Sequence, residues 1–321
     1  MIRQQEFDIF TDLSNLQRIE KISACSKLNH KYETKNLAEY ISSPLNYIGG
    51  KYKLLNQIIP LFPNIINNFV DVFAGGFNVG INVDAKQIVC NDYMPYLIDL
   101  YRYIALNKIE DILFWIEQQI AKYGLNKSNE DSYVKFRNYY NGSRQDPLDL
   151  YILICFSFNH QIRFNSQHKF NNPFGRNRST FNDRLKNKLI AFHQKMQSKN
   201  IEFSNKNFQE IDYSYLSSDD LVYCDPPYLI STGSYNDGKR GFEGWNLDHE
   251  SKLLGLLDKL HNNNIKFALS NVLVHKKSIN YLLVDWSKQY NVHHILSNYR
   301  NSNYRLKDRN SDSVEVLITN Y

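Results

Sequence analysis

Residues 221–228 read LVYCDPPY. A short apolar run, Leu221 to Cys224, stops abruptly at an acid, two prolines and an aromatic ring. The run has the length and composition of a buried strand. Proline has no N–H for a sheet ladder and fixes φ, and the residue before a proline is pushed to an extended shape. Asp225 and Pro226 are therefore expected to be extended, just past the end of a strand. The result is a stiff loop whose chemistry is acceptance and stacking. Asp225 offers a carboxylate, Pro226 a carbonyl with no competing N–H, and Tyr228 an aromatic face. In open α/β sheets the carboxyl end of a strand is where ligands sit. Side chains alternate along a strand, so Cys224 should face away from Asp225 and reads as core rather than nucleophile.

A loop of this kind needs a sheet behind it. DVFAGGFNVG, Asp71 to Gly80, places a Gly-rich turn after a strand at Phe69 to Phe73. Glycines there let the backbone approach a ligand or take positive φ, although a tight turn in any sheet protein could look the same. The stretch lacks a full GxGxxG, which fits a cofactor without phosphates. A second strand, Gln87 to Cys90, ends at Asn91–Asp92, and a helix follows Pro95. Asp92 stands either where doubly wound folds hold a ribose or where a helix wants a capping acid; beside the glycine turn, the ribose role is favoured. Helical spacing from Lys51 to Ile59 ends at Pro60 and Pro63. Residues 108–204 are mostly helical patterns around a basic, Asn-rich and aromatic loop, RFNSQHKFNNPFGRNRST. Strand patterns return at 201–203, 221–224, 265–270 and 314–318. The expected fold is α/β: a Rossmann-like domain with a mixed, mostly parallel sheet and helices on both faces. Residues 44–107 and 205–321 form it, 108–204 are a helical insert, and 1–43 are an N-terminal extension.

The 321 residues are 42% hydrophobic and 14% aromatic, enough for a sizeable core. A net charge of +5 is compatible with nucleic acid or with a mildly basic enzyme. Cys25, Cys90, Cys155 and Cys224 form no CxxC pair, so neither a zinc site nor a disulfide framework is expected. No signal peptide and no apolar run of about 18 residues is visible, which predicts a cytoplasmic protein without a membrane span.

The separate blocks together resemble the Dam-type, or alpha, group of S-adenosylmethionine-dependent DNA adenine methyltransferases. The resemblance covers most of residues 44–321. NYIGGK (46–51) is similar to the family's first cofactor block, DVFAGGFNVG to its glycine motif and CNDY to its ribose block. FNHQIRFN…FNNPFGR (158–176) looks like its DNA-contacting loop, VYCDPPY like its catalytic block and EVLITNY (315–321) like its closing strand. The resemblance implies S-adenosylmethionine as cofactor, contacted by Tyr47, Gly50, Lys51, Asp71, Phe73, Gly75, Gly76, Asp92 and Asp225. It implies catalysis by Asp225, Pro226, Pro227 and Tyr228. Duplex DNA would meet Phe158, Asn159, Gln161, Arg163, Asn172, Pro173, Arg176 and Arg178. Arg300 and Arg305 in the basic, tyrosine-rich segment 297–312 would join them; a merely basic exposed loop is the other reading of that segment. Phe156 and Phe164 flank the loop, and Phe156 is read as core. GATC-directed members carry Tyr/Phe-Asn-Gly-Leu-x-Arg in this loop. Here the Gly and Leu positions are His160 and Gln161, so a GATC target is not implied.

What this resemblance implies chemically is specific. An adenine amino group is a poor nucleophile because its lone pair is delocalised. Acceptors for both N–H bonds, Asp225 and the Pro226 carbonyl, would let the nitrogen turn pyramidal, while the base stacks on Tyr228. The base must leave the duplex to be reached. No metal, strong base or covalent intermediate is expected. The expected partner is double-stranded DNA, with a cognate restriction endonuclease in a restriction–modification system and a monomeric state. An RNA adenine methyltransferase and a catalytically silent DNA-binding protein are the competing readings.

Overall fold

The computed structural model describes residues 36–143, 145–230, 244–276, 278–296 and 313–321. Its centre is an eight-stranded sheet in the order β3-β2-β1-β4-β5-β8-β7, with β6 paired to β5. The strands are β1 (Asn68–Asp71), β2 (Gln87–Asn91), β3 (Ile201–Ser204), β4 (Leu221–Cys224), β5 (Lys266–His275), β6 (Ser278–Ile279), β7 (Asn291–Ile295) and β8 (Ser313–Thr319). The first five in spatial order pair parallel, and β8 runs antiparallel to both β5 and β7. This is a Rossmann-like methyltransferase sheet, mixed and mostly parallel, as the strand patterns predicted. β7 was not legible beforehand, and β5 runs five residues beyond the expected 270.

The helices are α1 (Leu55–Ile58), α2 (Pro95–Leu106), α3 (Ile109–Tyr123), α4 (Glu130–Gly142), α5 (Pro147–Phe156), α6 (Asp183–Gln197), α7 (Leu247–Asn262) and α8 (Tyr281–Trp286). Alternation along the strands splits the core into two layers. Phe69, Ile88, Cys90, Leu221 and Tyr223 face one layer, which contains α1, α2 and the helices α3 to α6. Val70, Val89, Val222 and Cys224 face the other, closed by the leucines of α7 and by α8. Cys224 is fully buried there, on the side opposite Tyr223. α5 is apolar on nearly every side because it is enclosed: nine of its ten residues, Leu148 to Phe156, are buried. Its start is marked by the N-cap, where the Asp146 carboxylate accepts from the Leu148 N–H before Pro147 opens the helix. The helical segment thus shares one continuous core with the sheet, and its last four residues are β3 itself.

The end of the expected extension also belongs to this body. Tyr40 is buried in the first layer, and the Ile41 and Ser43 N–H groups donate to the side chains of Asn82 and Asn78. Residues 1–35, the rest of the expected extension, lie outside the described residues. Among the described residues, no helix is long and apolar enough to cross a membrane.

Candidate active site

β1 connects outward to β2 and β3, whereas β4 connects the opposite way to β5. The carboxyl ends of β1 and β4 therefore flank a crevice, the usual ligand position of a doubly wound sheet. The β1–β4 register sets Asp71 beside Tyr223, and Asp225 follows two residues later. Asp225 meets a lysine there. The chain enters from Gly49–Gly50 into a short 3-10 turn at Lys51–Leu54, which tucks Lys51 inward to 4% exposure. Lys51 Nζ lies 2.8 Å from Asp225 Oδ1 and 3.8 Å from Glu315 Oε1. It also donates to the Gly49 carbonyl at 2.9 Å. The Tyr228 hydroxyl is 3.1 Å from Asp225 Oδ1 and 3.2 Å from Glu315 Oε1, and its ring centroid is 5.0 Å from the lysine nitrogen. A buried ammonium is costly unless opposed, and these carboxylates oppose it. Burial raises the Asp225 pKa, Lys51 pulls it back down, and Glu315 pushes it up again.

The other half of the site is built on the glycine turn. A cavity of about 510 Å³ runs from the DPPY loop past Tyr47 and Gly75 to Asp92, Phe208 and Trp245. Gly75 has φ +47°, and a Cβ there would sit 2.8 Å from the Tyr47 ring. Only glycine fits both the backbone and the ring. Asp92 fastens the turn: its Oδ2 accepts from the Gly75 N–H and its Oδ1 from the Met94 N–H, each at 2.8 Å. Met94, not Asp92, is the N-cap of α2, so simple helix capping is not its role. Asp71 is 1% exposed; its Oδ2 accepts from Gly80, while Oδ1 has no hydrogen-bond partner in the described structure. Burial pushes the Asp71 carboxyl well above its usual range against the opposing Gly80 hydrogen bond. Asp92 is raised by the same cause and held back by its two backbone donors.

Tyr47, Gly50, Lys51, Asp71, Phe73, Gly75, Gly76, Asp92 and Asp225 to Tyr228 all line this one cavity, and Arg163 reaches it from the helical segment. Sequence reasoning had passed over three of its neighbours. Phe208 and Trp245 face Phe73 with ring centroids 5.8 and 5.6 Å away, and Glu315 joins the lysine cluster from β8. Trp245 is itself fixed by Glu250, which is fully buried and accepts its indole N–H at 2.7 Å. The E of EVLITNY was visible as a lone acid in an apolar strand. That signal could have marked Glu315, since a buried carboxylate needs partners.

The loop at 157–174 is closed by two β-bridges, Ser157–Phe174 and Phe164–Phe170. Phe164 is buried and stacks on Tyr96 of α2 at 4.3 Å. Phe156 is core, as expected. Phe158 is 41% exposed with the Arg178 guanidinium 5.4 Å from its ring, and Asn159 holds φ +55° beside it. Gln161 is half-buried; Arg163, Pro173, Arg176 and Arg178 are exposed, with Arg176 ion-paired to Glu130. Asn172 corrects the expectation. It is 3% exposed, and its amide donates to the carbonyls of Phe158 at 3.0 Å and Gln161 at 2.9 Å. A side chain so enclosed holds the loop through those two carbonyls. Arg300 and Arg305 lie outside the described residues.

The sheet order, with a cavity at the carboxyl ends of its strands, is that of a Rossmann-like methyltransferase fold. The chain belongs to the D12 class N6 adenine-specific DNA methyltransferase family, whose model matches residues 47–300. It is 49% identical over 321 residues to the type II methyltransferase M.FokI of Planomicrobium okeanokoites, covering 99% of this chain and 49% of that one. It is 48% identical over 318 residues to modification methylase StsI of Streptococcus sanguinis, covering 98% and 48%. With the DNA adenine methylase of Escherichia coli (strain K12) it shares 28% over 238 residues, covering 71% and 79%. The chain spans about half the length of the first two relatives.

Proposed function

We propose that this chain transfers a methyl group from S-adenosylmethionine to the exocyclic amino nitrogen of an adenine turned out of duplex DNA. It does so as a Dam-type enzyme in the modification half of a restriction–modification system. The observation that carries this reading is Asp225, held at the end of β4 through Oδ1 by Lys51 and Tyr228, in the same cavity as the Asp92-fastened glycine turn. The cavity suits the cofactor. Asp92 would hold the ribose, the unpartnered Asp71 Oδ1 would suit the ammonium, and Phe73, Phe208 and Trp245 would wall the purine. When bound, S-adenosylmethionine supplies a methyl group on a positively charged sulfur.

The remaining work falls to the protein. Lys51 and Tyr228 both address Asp225 Oδ1, which leaves Oδ2 for one amino hydrogen of the adenine. The Pro226 carbonyl takes the other hydrogen. Acceptors fixed in advance let the nitrogen lone pair leave the ring plane as charge develops. Tyr228 stacks on the base, and the aligned pair gains from proximity. Lys51 favours the ionised form of Asp225 and opposes the rise in pKa that burial imposes. The amine becomes acidic only as the methyl arrives, so the proton leaves late and no strong base is required.

Residues 44–107 and 205–321 act as the catalytic domain and the helical segment within 108–204 as the DNA reader. Phe158, Asn159, Gln161, Arg163, Pro173, Arg176 and Arg178 meet the duplex, joined by Arg300 and Arg305. The enzyme acts as a monomer in the cytoplasm, beside a cognate endonuclease. The direct test incubates purified chain and labelled S-adenosylmethionine with mixed-sequence duplex DNA or with RNA of the same sequence. Label recovered as N6-methyladenine from the duplex alone is expected. Label in RNA alone, or in neither polymer, contradicts the reading.

A further inference from the structure

Glu315 is a glutamate with 2% exposure on an inner strand, flanked there by Val314 and Val316. Val316, Leu317 and Ile318, which follow it, are fully buried. A carboxylate in that setting costs free energy unless it is hydrogen-bonded and paired. What it touches is the site itself. Its Oε1 lies 3.2 Å from the Tyr228 hydroxyl and 3.8 Å from Lys51 Nζ, the two groups that hold Asp225 Oδ1 at 3.1 and 2.8 Å. A phenol carries one proton, so Tyr228 can donate to only one of the two carboxylates at a time. β8 meanwhile is tied on both sides, to β5 and β7, so Glu315 is the fixed end of the arrangement. Asp225, on the loop after β4, is the end that meets a substrate.

We propose that Glu315 is a positioning residue for the transfer. It anchors the Tyr228 hydroxyl and shares the Lys51 ammonium, so that the stacking ring and the cation stay in place when Asp225 takes a hydrogen of the target amine. This rests on the methyltransferase reading above. It gives the closing strand a part in the reaction that the DPPY loop does not supply alone. With Glu315 removed, Tyr228 and Lys51 both fall to Asp225, and the acceptor geometry loosens. Misplacing groups by a fraction of a bond length is enough to slow an aligned reaction strongly.

The test is a double-mutant cycle on the full chain, read in two ways. Glu315→Ala, Glu315→Gln, Tyr228→Phe and Tyr228→Phe/Glu315→Ala are compared for single-turnover methyl transfer to duplex DNA and for urea unfolding midpoint. Glu315→Ala is expected to slow transfer roughly 10- to 100-fold, with cofactor and duplex affinities within about twofold. Glu315→Gln, whose amide oxygen still accepts from the phenol, should recover most of the rate. In the Tyr228→Phe background the alanine change should slow transfer much less, and the two effects on unfolding should likewise be less than additive. Full additivity in both readouts overturns the proposal, as does an unchanged rate in Glu315→Ala. The unfolding cycle needs no activity. Coupled unfolding with a wild-type chain that transfers no methyl would leave the contact standing, remove the methyltransferase reading, and overturn the role given to Glu315.

Discussion

At the scale of single residues, the site is a set of carboxyl groups with different surroundings. Asp225 is the stronger acceptor for an amine when ionised, and burial raises its pKa while Lys51 opposes that rise. The acid limb of transfer should therefore lie above the ordinary carboxylate range. Lys51→Met should move it to still higher pH, which a kcat–pH profile reads directly; a limb that stays put removes Lys51 from this role. Asp225→Ala should lower transfer by at least roughly 100- to 1,000-fold while largely sparing DNA binding. Tyr228→Ala should cost about 1–3 kcal/mol in binding of the flipped base. Asp71 gives a stability prediction. Its folded pKa is raised well above the unfolded value, so the folded state holds the proton more tightly. Its contribution is present below the ordinary Asp range and lost as pH rises through the folded pKa. Asp71→Asn should therefore become more stable relative to wild type as pH rises, and melting curves at acidic and alkaline pH decide it. A gain that grows on acidification contradicts the assignment.

Elements set where those residues stand. The glycine turn works because Gly75 combines φ +47° with a 2.8 Å approach to Tyr47. Gly75→Ala should cost stability of about 1–3 kcal/mol and weaken cofactor binding, measured by unfolding and by calorimetric titration. Asn172 is the matching staple of the loop. Asn172→Ala strands two carbonyls and should weaken duplex binding without any direct contact with DNA; unchanged affinity would return it to a passive role. The patterns that were legible in sequence are those with strong local causes. β1, β2 and β4 are short apolar runs ended by acids or prolines, and DPPY and the glycine turn announce their own backbone shapes. β7 reads NVHHI, polar and only partly buried, and exists because β8 offers it an edge. Phe208 lies in a turn after β3, so no periodicity pointed to it. Asn172 sits in a polar loop where sequence gives no sign of which amide is turned inward. Glu315 and Lys51 are far apart in sequence, and only the antiparallel closure of β8 on β5 brings them together.

For the whole molecule, the sheet carries the cavity and one face of it carries the helical segment proposed to read DNA. The loop bearing Phe158 is fastened to α2 through Phe164 and Tyr96, and α2 in turn starts beside Asp92. Loop and cavity are therefore built on the same helix, with Arg163 lining the cavity from the loop side. Cations that meet phosphates release counterions, so Arg163→Ala and Arg178→Ala should each reduce the salt dependence of duplex binding by about one unit of slope. Arg178→Ala should additionally release the Phe158 ring from its cation contact. A salt titration in which neither slope changes would place the duplex elsewhere on the surface.

The most direct measurement is expression of wild type and Asp225→Ala in a bacterial host that lacks DNA methylation, followed by long-read sequencing for modified adenine. One short sequence methylated near saturation by the wild type, and unmethylated with Asp225→Ala, is the predicted result. No modified adenine from a folded wild-type chain, or an Asp225→Ala variant that methylates equally well, would contradict it.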